Sequence, residues 1–237
     1  MIQQKVIGLI GGMSWESTAV YYHLLNQGIK ERLGGLHSAD CIVRSLDFST
    51  IERLQQQGAW TAAAELLSRE GKKLEAFGAQ ALVLCTNTMH KVAHTIQGSC
   101  HIPLLHIADG VGRALVHCGI RQVLLTGTRF TMEDSFYCEY LTENYDLVVS
   151  TPREDHRQEV NRIIYEELCR GEVREDSRKF FVNVISAGAE NGDQGVILGC
   201  TELQMLTAAI APPIPAFDST ALHVQSILDW SLSRPAS

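Results

Sequence analysis

The sequence lacks the features that would place the chain in a membrane or on a nucleic acid. Its longest apolar runs, such as 123–125 and 196–198, fall far short of the roughly 20 residues that a membrane span needs. No cleavage-type segment of a signal peptide follows the first apolar run, which leads from Val6 straight into Gly11 and Gly12. Lys and Arg number 20 against 27 Asp and Glu, and no long basic run occurs. We therefore expect neither a membrane nor a nucleic acid as a partner.

Motifs of several large function classes are also missing. The seven cysteines form no Cys-x-x-Cys pair and the nine histidines show no metal-ligand spacing, so no metal is expected. The glycines at 11 and 12 match neither the dinucleotide-binding nor the P-loop pattern, which argues against NAD and ATP. The hydrolase patterns G-x-S-x-G, H-E-x-x-H and S-x-x-K do not occur. The odd number of cysteines, several of them in apolar stretches, indicates free thiols and a reducing cytoplasm.

The chain does contain enough apolar material for a folded core. Of its 237 residues, 45% are hydrophobic and 20% are charged, which excludes disorder and allows one large domain or two small lobes. Short apolar runs predict strands at 5–10, 41–46, 81–85, 103–107, 121–125, 146–150 and 195–198. Helical stretches lie between and after them, at 14–32, 60–77, 109–117 with Asp109 as its N-cap, 131–145, 157–169, 174–190 and 219–231. This alternation predicts an α/β fold with parallel sheets flanked by helices, and a frayed end at 233–237.

A weak internal repeat predicts two similar lobes. The run that ends at Gly11 resembles the run that ends at Gly127, 116 residues later. Residues 84–88 (Leu-Cys-Thr-Asn-Thr) resemble residues 198–202 (Leu-Gly-Cys-Thr-Glu), 114 residues later. We assign residues 1–103 with 214–237 to the first lobe and residues 104–213 to the second. A chance likeness between short apolar strands is the alternative.

The repeat has a chemical consequence. Ligands of parallel α/β sheets bind outside the carboxyl ends of the strands. Two lobes related by a pseudo-two-fold axis would place Thr86 and Cys200 on opposite sides of a small ligand, in a cleft between the lobes. Inversion at a carbon atom requires such an arrangement, because one group removes a proton while the other delivers one.

Three strand-end segments carry candidate chemistry. Cys200 lies between a strand and a helix, where a thiolate has a pKa lowered from ~8.5 to ~3.5–7.5, so it is the best base in the chain; a buried structural cysteine is the alternative. The polar residues that follow Cys85 could grip a carboxylate or an amine, or form an N-cap cluster. The backbone N–H groups of residues 11–14 (Gly-Gly-Met-Ser) could hold a carboxylate, or simply make a tight turn.

These segments resemble the aspartate/glutamate racemase family. The resemblance rests on residues 11–14, on Thr-Asn-Thr at 86–88, on Gly-Thr-Arg-Phe-Thr-Met at 127–132 and on Gly-Cys-Thr-Glu at 199–202, and it covers essentially the whole chain. The family implies racemisation by two cysteines without a cofactor, one on each face of the α-carbon. Cys200 matches the second cysteine, whereas Thr86 stands where the first is usual. Cys85 lies one residue earlier, and that step along a strand turns a side chain to the opposite face.

The resemblance also implies roles for further residues and for the assembly. Cys200 would remove the α-proton of the L-enantiomer and Thr86 would return one, with L-substrates favoured kinetically because a hydroxyl is a poor base. Substrate contacts are carried over to Met13, Gln55, Asn87, Thr88, Glu167, Thr201 and Glu202. Glu167 stands where a basic residue would suit an acidic substrate, so it weakens the choice of aspartate or glutamate. A homodimer is the family expectation.

Three alternative functions stay open on the sequence. The chain could racemise neutral amino acids with broad specificity. It could use one cysteine as a proton donor in a related decarboxylation or isomerisation of small dicarboxylates. Because of Thr86, it could also be an amino-acid-binding protein without catalysis.

Overall fold

Seven parallel strands form two sheets, one in each of two units of the chain. The computed structural model describes residues 3–208 and 210–233, and the strand count refers to these. The first unit holds the described residues up to Ile107 and those from His223 onward, and the second is Ala108–Leu222. The predicted fraying at 233–237 falls, apart from Ser233, outside the described residues. Within the described ranges, no helix is long and apolar enough to cross a membrane.

The three strands of the first unit lie where the sequence predicts strands, with helices between and after them. In chain order they are β1 (Ile7–Gly11), α1 (Trp15–Leu33), β2 (Cys41–Ser45), α2 (Phe48–Gln56), α3 (Trp60–Ala76), β3 (Ala81–Leu84), a 3-10 helix (Thr88–Val92) and α4 (Ala93–Ser99).

The second unit repeats the pattern and adds one strand. Its elements are α5 (Ile107–His117), β4 (Gln122–Gly127), α6 (Arg129–Glu133), α7 (Phe136–Tyr145), β5 (Val148–Ser150), α8 (Glu154–Glu166), a 3-10 helix (Leu168–Arg170), α9 (Glu175–Glu190), β6 (Val196–Gly199), a 3-10 helix (Thr201–Leu203), α10 (Gln204–Thr207), β7 (Ala216–Asp218) and α11 (Ser219–Leu232), which continues into the first unit.

The sheet of the first unit has the order β2-β1-β3, and its strands β1 and β3 are buried on both faces, whereas the edge strand β2 is partly exposed. Along β3, Leu82 and Leu84 pack with residues of α3 and α4, whereas Val83 and Cys85 pack with residues of α1 and α11. Because successive side chains of a strand alternate between faces, a sheet covered on both sides reads as a continuous apolar run. The predicted parallel α/β architecture is therefore confirmed.

The sheet of the second unit has the order β5-β4-β6-β7. Three of these strands repeat the first sheet: β4 lies between β5 and β6, as β1 lies between β2 and β3, and all pairs are parallel. The fourth strand, β7, was not predicted, because it has only three residues and directly follows a proline-rich segment. Its pairing with β6 extends the second unit as far as Leu222.

Two predictions around α5 are wrong. The segment predicted as a strand at 103–107 makes only an isolated bridge from Leu104 to Leu82, and α5 already begins at Ile107. Asp109 therefore lies inside the first turn of α5 and is not its N-cap. Its carboxylate instead accepts hydrogen bonds of 2.8 Å from the hydroxyls of Tyr140 and Tyr145, a partnership between helices that local sequence does not show.

The predicted helix at 131–145 is also wrong, because the structure divides it into α6 and α7. Asp134 has an extended backbone, with φ −80° and ψ 143°, and so ends α6. Both short helices bury one face, so the helical spacing of buried residues continues across this break and does not reveal it.

Candidate active site

The carboxyl end of β3 carries the first candidate group. The backbone N–H of Cys85 donates to the carbonyl of Ile10 at 3.0 Å, which continues the pairing of β3 with β1 by one residue. The Cys85 side chain is completely buried among apolar residues of α1 and α11. Burial raises the pKa of its thiol far above the ordinary value, and nearby Cys41 acts in the same direction. Cys85 is therefore an unreactive core thiol in this structure.

Thr86 follows and is only partly buried. Its backbone carbonyl is held by Nδ1 of His90 at 2.8 Å. Asn87 and Thr88 are buried and begin the 3-10 turn that carries His90. The structure thus brings Thr86, Asn87 and Thr88 together at the end of β3, with the hydroxyl-bearing Thr86 as the residue nearest the surface.

Met13 and Gln55 lie at the same end of the sheet. Met13 packs in the cluster that contains Met89 and Ile51. Gln55, on the last turn of α2, is 5% exposed, and its Nε2 donates to Sδ of Met89 at 3.0 Å. Within the described ranges the amide carbonyl of Gln55 has no hydrogen-bond partner. That oxygen can therefore accept a hydrogen bond from a ligand, and an ammonium group would suit it.

The loop after β1 is held by its own backbone. Gly12 has φ +77°, and a Cβ atom there would lie 2.1 Å from the carbonyl oxygen of Leu46. The Gly12 N–H donates to Oγ1 of Thr18 at 2.8 Å, and the Ser14 hydroxyl caps α1 by accepting from the N–H of Ser17. Gly12 therefore makes a tight turn and does not offer its N–H to a ligand, since that N–H is already bonded within the protein.

The carboxyl end of β6 carries the second candidate group. Cys200 has an extended backbone and precedes the three-residue 3-10 helix. Its Sγ donates to Oε2 of Glu202 at 2.9 Å. Burial raises the pKa of the thiol well above the ordinary value, and the negative charge and hydrogen bond of Glu202 raise it further.

The lowered pKa predicted for Cys200 is therefore wrong in direction. The prediction assumed a regular helix whose dipole would stabilise a thiolate. The structure has a three-residue 3-10 helix that runs into the four-residue α10, and burial together with a carboxylate two residues away favours the protonated thiol. In this arrangement the Cys200 thiol donates its hydrogen bond to the Glu202 carboxylate.

Glu167 is placed near this site but is engaged within the protein. It is 1% exposed, and its two carboxylate oxygens accept from Arg162 at 2.8 Å and from Ser177 at 2.6 Å. Burial opposes ionisation, yet the hydrogen bonds from Ser177 and Arg162 hold the pKa of the carboxyl below its ordinary value. The 3-10 helix that follows Glu167 packs against the 3-10 helix 201–203 that follows Cys200.

Arg129 is a cation at the same sheet edge that the motif analysis did not single out. It is the first residue of α6, two positions beyond the end of β4, and β4 pairs with β6 up to Gly127 and Gly199. Its guanidinium lies 5.2 Å from the Phe130 ring centre, and among the described residues no carboxylate forms an ion pair with it. The sequence does carry a signal for Arg129, since this residue lies within the segment Gly-Thr-Arg-Phe-Thr-Met at 127–132.

Strand registers place Thr86 and Cys200 at equivalent positions of the two sheets. Leu84 lies opposite Ile10 in the first unit, and Leu198 lies opposite Thr126 in the second. Thr86 and Cys200 each stand two residues beyond these pairs. The alignment inferred from the repeat, which pairs Cys85 with Gly199, has the same register as the hydrogen-bonded strands.

The described residues contain no group of three or more His, Cys, Asp or Glu side chains arranged to hold a metal ion. Sequence reasoning did not anticipate the Cys200–Glu202 hydrogen bond or the His90–Thr86 contact. Both have a local signal, since Glu202 follows Cys200 by two residues and His90 follows Thr86 by four. Neither signal shows which atoms meet.

Known proteins resemble the chain over nearly its whole length. A family model described as Asp/Glu/Hydantoin racemase matches residues 10–227. A Yersinia pestis structure, a candidate Asp/Glu racemase, shares 48% identity at a TM-score of 0.91, covering 97% of this chain and 100% of that one. An aspartate racemase homologue from Pyrococcus horikoshii OT3 shares 31% identity at a TM-score of 0.82, covering 98% and 99%. The broad specificity amino-acid racemase RacX of Bacillus subtilis (strain 168) is 25% identical over 161 residues, 68% of this chain and 69% of RacX.

Proposed function

Because the chain belongs to the Asp/Glu/hydantoin racemase family, we propose that it racemises an amino acid without a cofactor, Cys200 acting on one face of the α-carbon and Thr86 on the other. The chain is an isomerase of the amino-acid racemase type. The observation that carries the proposal is the equivalent placement of Thr86 and Cys200, each two residues beyond matching strand pairs.

The proton path begins at Cys200. Glu202 accepts the thiol proton through the 2.9 Å hydrogen bond, and the resulting thiolate removes the α-proton of the L-enantiomer. The Thr86 hydroxyl then gives its proton to the opposite face of the carbanion and takes another from solvent water, so that it acts as a relay. Backbone donors beside Thr88 and Thr201 stabilise the carbanion through the substrate carboxylate. Enzymes lower reaction barriers by ~8–23 kcal/mol in total, and preorganised hydrogen-bond donors are usually the largest single contribution.

We assign aspartate or glutamate as the preferred substrate. Arg129 supports this choice, because it carries a guanidinium without an ion-pair partner among the described residues, at the sheet edge that bears Cys200. A guanidinium binds a carboxylate bidentately. The likeness to RacX favours broad specificity as the second candidate, and the engagement of Glu167 with Arg162 is compatible with either.

The test is α-proton exchange in deuterated water, followed by NMR, with L- and D-aspartate, glutamate, alanine and serine and no added cofactor. We expect exchange with inversion for the acidic pair. Cys200→Ala should abolish exchange, while the matched control Cys85→Ala should largely retain it, because Cys85 is a core thiol. Exchange that survives in Cys200→Ala and disappears in Cys85→Ala would contradict the assignment. Ligand-dependent stabilisation without any exchange would indicate a binding protein.

Two attributes of the family resemblance stay predictions. A reducing cytoplasm is supported by the cysteines, since all seven are free thiols in the structure. The homodimer rests on the resemblance alone.

A further inference from the structure

Three histidines, two of them buried and His106 partly buried, form a cluster near the end of β3. His223 is completely buried and His90 is 3% exposed. The ring centre of His90 lies 4.6 Å from that of His106 and 5.8 Å from that of His223, in edge-on contacts. His90 is bonded to the backbone of a candidate catalytic residue, through the carbonyl of Thr86.

The hydrogen bonds of His90 define its protonation state. Nδ1 lies 2.8 Å from the Thr86 carbonyl, and a carbonyl only accepts, so Nδ1 carries a proton. Nε2 lies 3.1 Å from the backbone N–H of Ile107, which only donates, so Nε2 carries none. His90 is therefore a neutral imidazole in one tautomer, with one nitrogen used to hold Thr86 and the other anchored to the start of α5.

A second layer of contacts prevents the ring from turning. His223 donates from Nε2 to the Leu105 carbonyl at 2.8 Å, and its Nδ1 is bonded to the Tyr21 hydroxyl at 2.8 Å. His90 packs edge-on against His223 on one side and His106 on the other. A rotation of the His90 ring would therefore break its two hydrogen bonds and displace two neighbouring rings.

We infer that His90 is a positioning residue for Thr86, and that it sets the share of carbanion protonated on the Thr86 face. The inference rests on the proposed function. The Thr86 carbonyl and the Asn87 N–H belong to one planar peptide, so a hydrogen bond that fixes the oxygen also fixes the direction of that N–H and of the turn that follows. Proton delivery depends steeply on such placement, because a displacement of about 1 Å can cost about 10²-fold in rate.

Two substitutions separate the two nitrogens of His90. Asn places an amide nitrogen close to where Nδ1 stood, so His90→Asn keeps a donor for the Thr86 carbonyl. Gln places its amide oxygen close to where Nε2 stood, so His90→Gln keeps an acceptor for Ile107 and loses the bond to Thr86. The two variants are similar in polarity and each removes the imidazole, so a general loss of packing affects both.

The experiment measures how the carbanion partitions. L-Aspartate, or the best L-substrate of the panel, is incubated in deuterated water, and the early ratio of D-product to deuterated L-substrate is measured by chiral chromatography and mass spectrometry. We expect His90→Gln to lower this ratio about tenfold while exchange from the Cys200 face changes little, and His90→Asn to keep a ratio close to wild type. Thermal unfolding confirms that each variant is folded.

Several outcomes would overturn the inference. An unchanged ratio in folded His90→Gln, or an equal fall of exchange and inversion in both variants, would show a structural role only. If His90→Gln does not fold, the inference is tested by ¹⁵N NMR of the wild-type protein. We expect His90 to be protonated at Nδ1 alone, and a ring protonated at Nε2 or at both nitrogens would refute the inference. A wild-type protein that exchanges no α-proton would refute the proposed function itself, which is a different result.

Discussion

At the scale of single residues, the reactivity of each thiol is decided by its neighbours. Cys85 and Cys200 both have raised pKa values, and burial is the largest cause for each. Cys85 has an apolar environment, so nothing near it takes its proton. Cys200 donates a hydrogen bond to Glu202. Although the pKa of its thiol is also raised, Cys200 therefore has a neighbouring carboxylate that can accept its proton.

The Cys200–Glu202 pair leads to a pH-dependent prediction. In Glu202→Gln the negative charge that favours the protonated thiol is lost, so the pKa of Cys200 should fall and its alkylation by iodoacetamide should begin at lower pH. Peptide mass spectrometry distinguishes Cys200 from the exposed Cys118 and Cys169. Glu190→Gln, which changes an exposed carboxylate at the end of α9, is the control and should leave the profile unchanged. A profile of Glu202→Gln that moves to higher pH would contradict the electrostatic account.

At the scale of elements, most strands and several long helices were predictable, whereas some short elements were missed. The helices α1 and α3 begin and end within about one residue of their predicted bounds, because amphipathic periodicity and terminal glycines are local signals. The short elements α2 and β7 were missed. The pairing of β7 with β6 is a contact between distant parts of the chain, and the three residues of β7 directly follow a proline-rich segment that does not favour a strand.

The loop after β1 gives a prediction about stability. Gly12→Ala should destabilise the fold by about 3 kcal/mol or more, because the new methyl group meets the backbone of Leu46 in addition to a strained φ. Gly58→Ala is the matched control: it has φ +65° and no atom within 4 Å, so only the strain of about 1–2 kcal/mol applies. Urea unfolding of both variants measures the difference. Equal losses would show that Leu46 can move away at little cost.

At the scale of the whole molecule, two similar units end in different chemical groups. The register of strands is the same in both, yet one unit presents a hydroxyl at the position where the other presents a thiol. A threonine hydroxyl removes a proton far less readily than a cysteine thiol does, because its pKa is much higher. The repeat therefore predicts asymmetric catalysis, although the strands at the two candidate groups pair in the same register.

This asymmetry is measurable in the steady state. Since the equilibrium constant of racemisation is one, kcat/KM must be equal for the two enantiomers, and the difference must appear as a higher kcat and a higher KM for the L-substrate. Thr86→Ser keeps a hydroxyl and should keep the asymmetry. Thr86→Cys should raise kcat for the D-substrate and so reduce the difference in kcat between the two enantiomers. Chiral chromatography of initial rates in both directions is the measurement. Equal kcat and KM values in the wild-type protein would remove the proposed role of Thr86.

The sequence by itself determined the α/β class, the repeat and the residues at the strand ends, because alternation along a strand and the position of a strand end are local properties. From these, Cys85 and Thr86 could be assigned to opposite faces of the strand. Only the tertiary structure decided the protonation of Cys200, the engagement of Glu167 with Ser177, and the contact of His90 with Ile107. These depend on which atoms meet after distant segments pack, and on the burial that packing creates, so no local pattern encodes them.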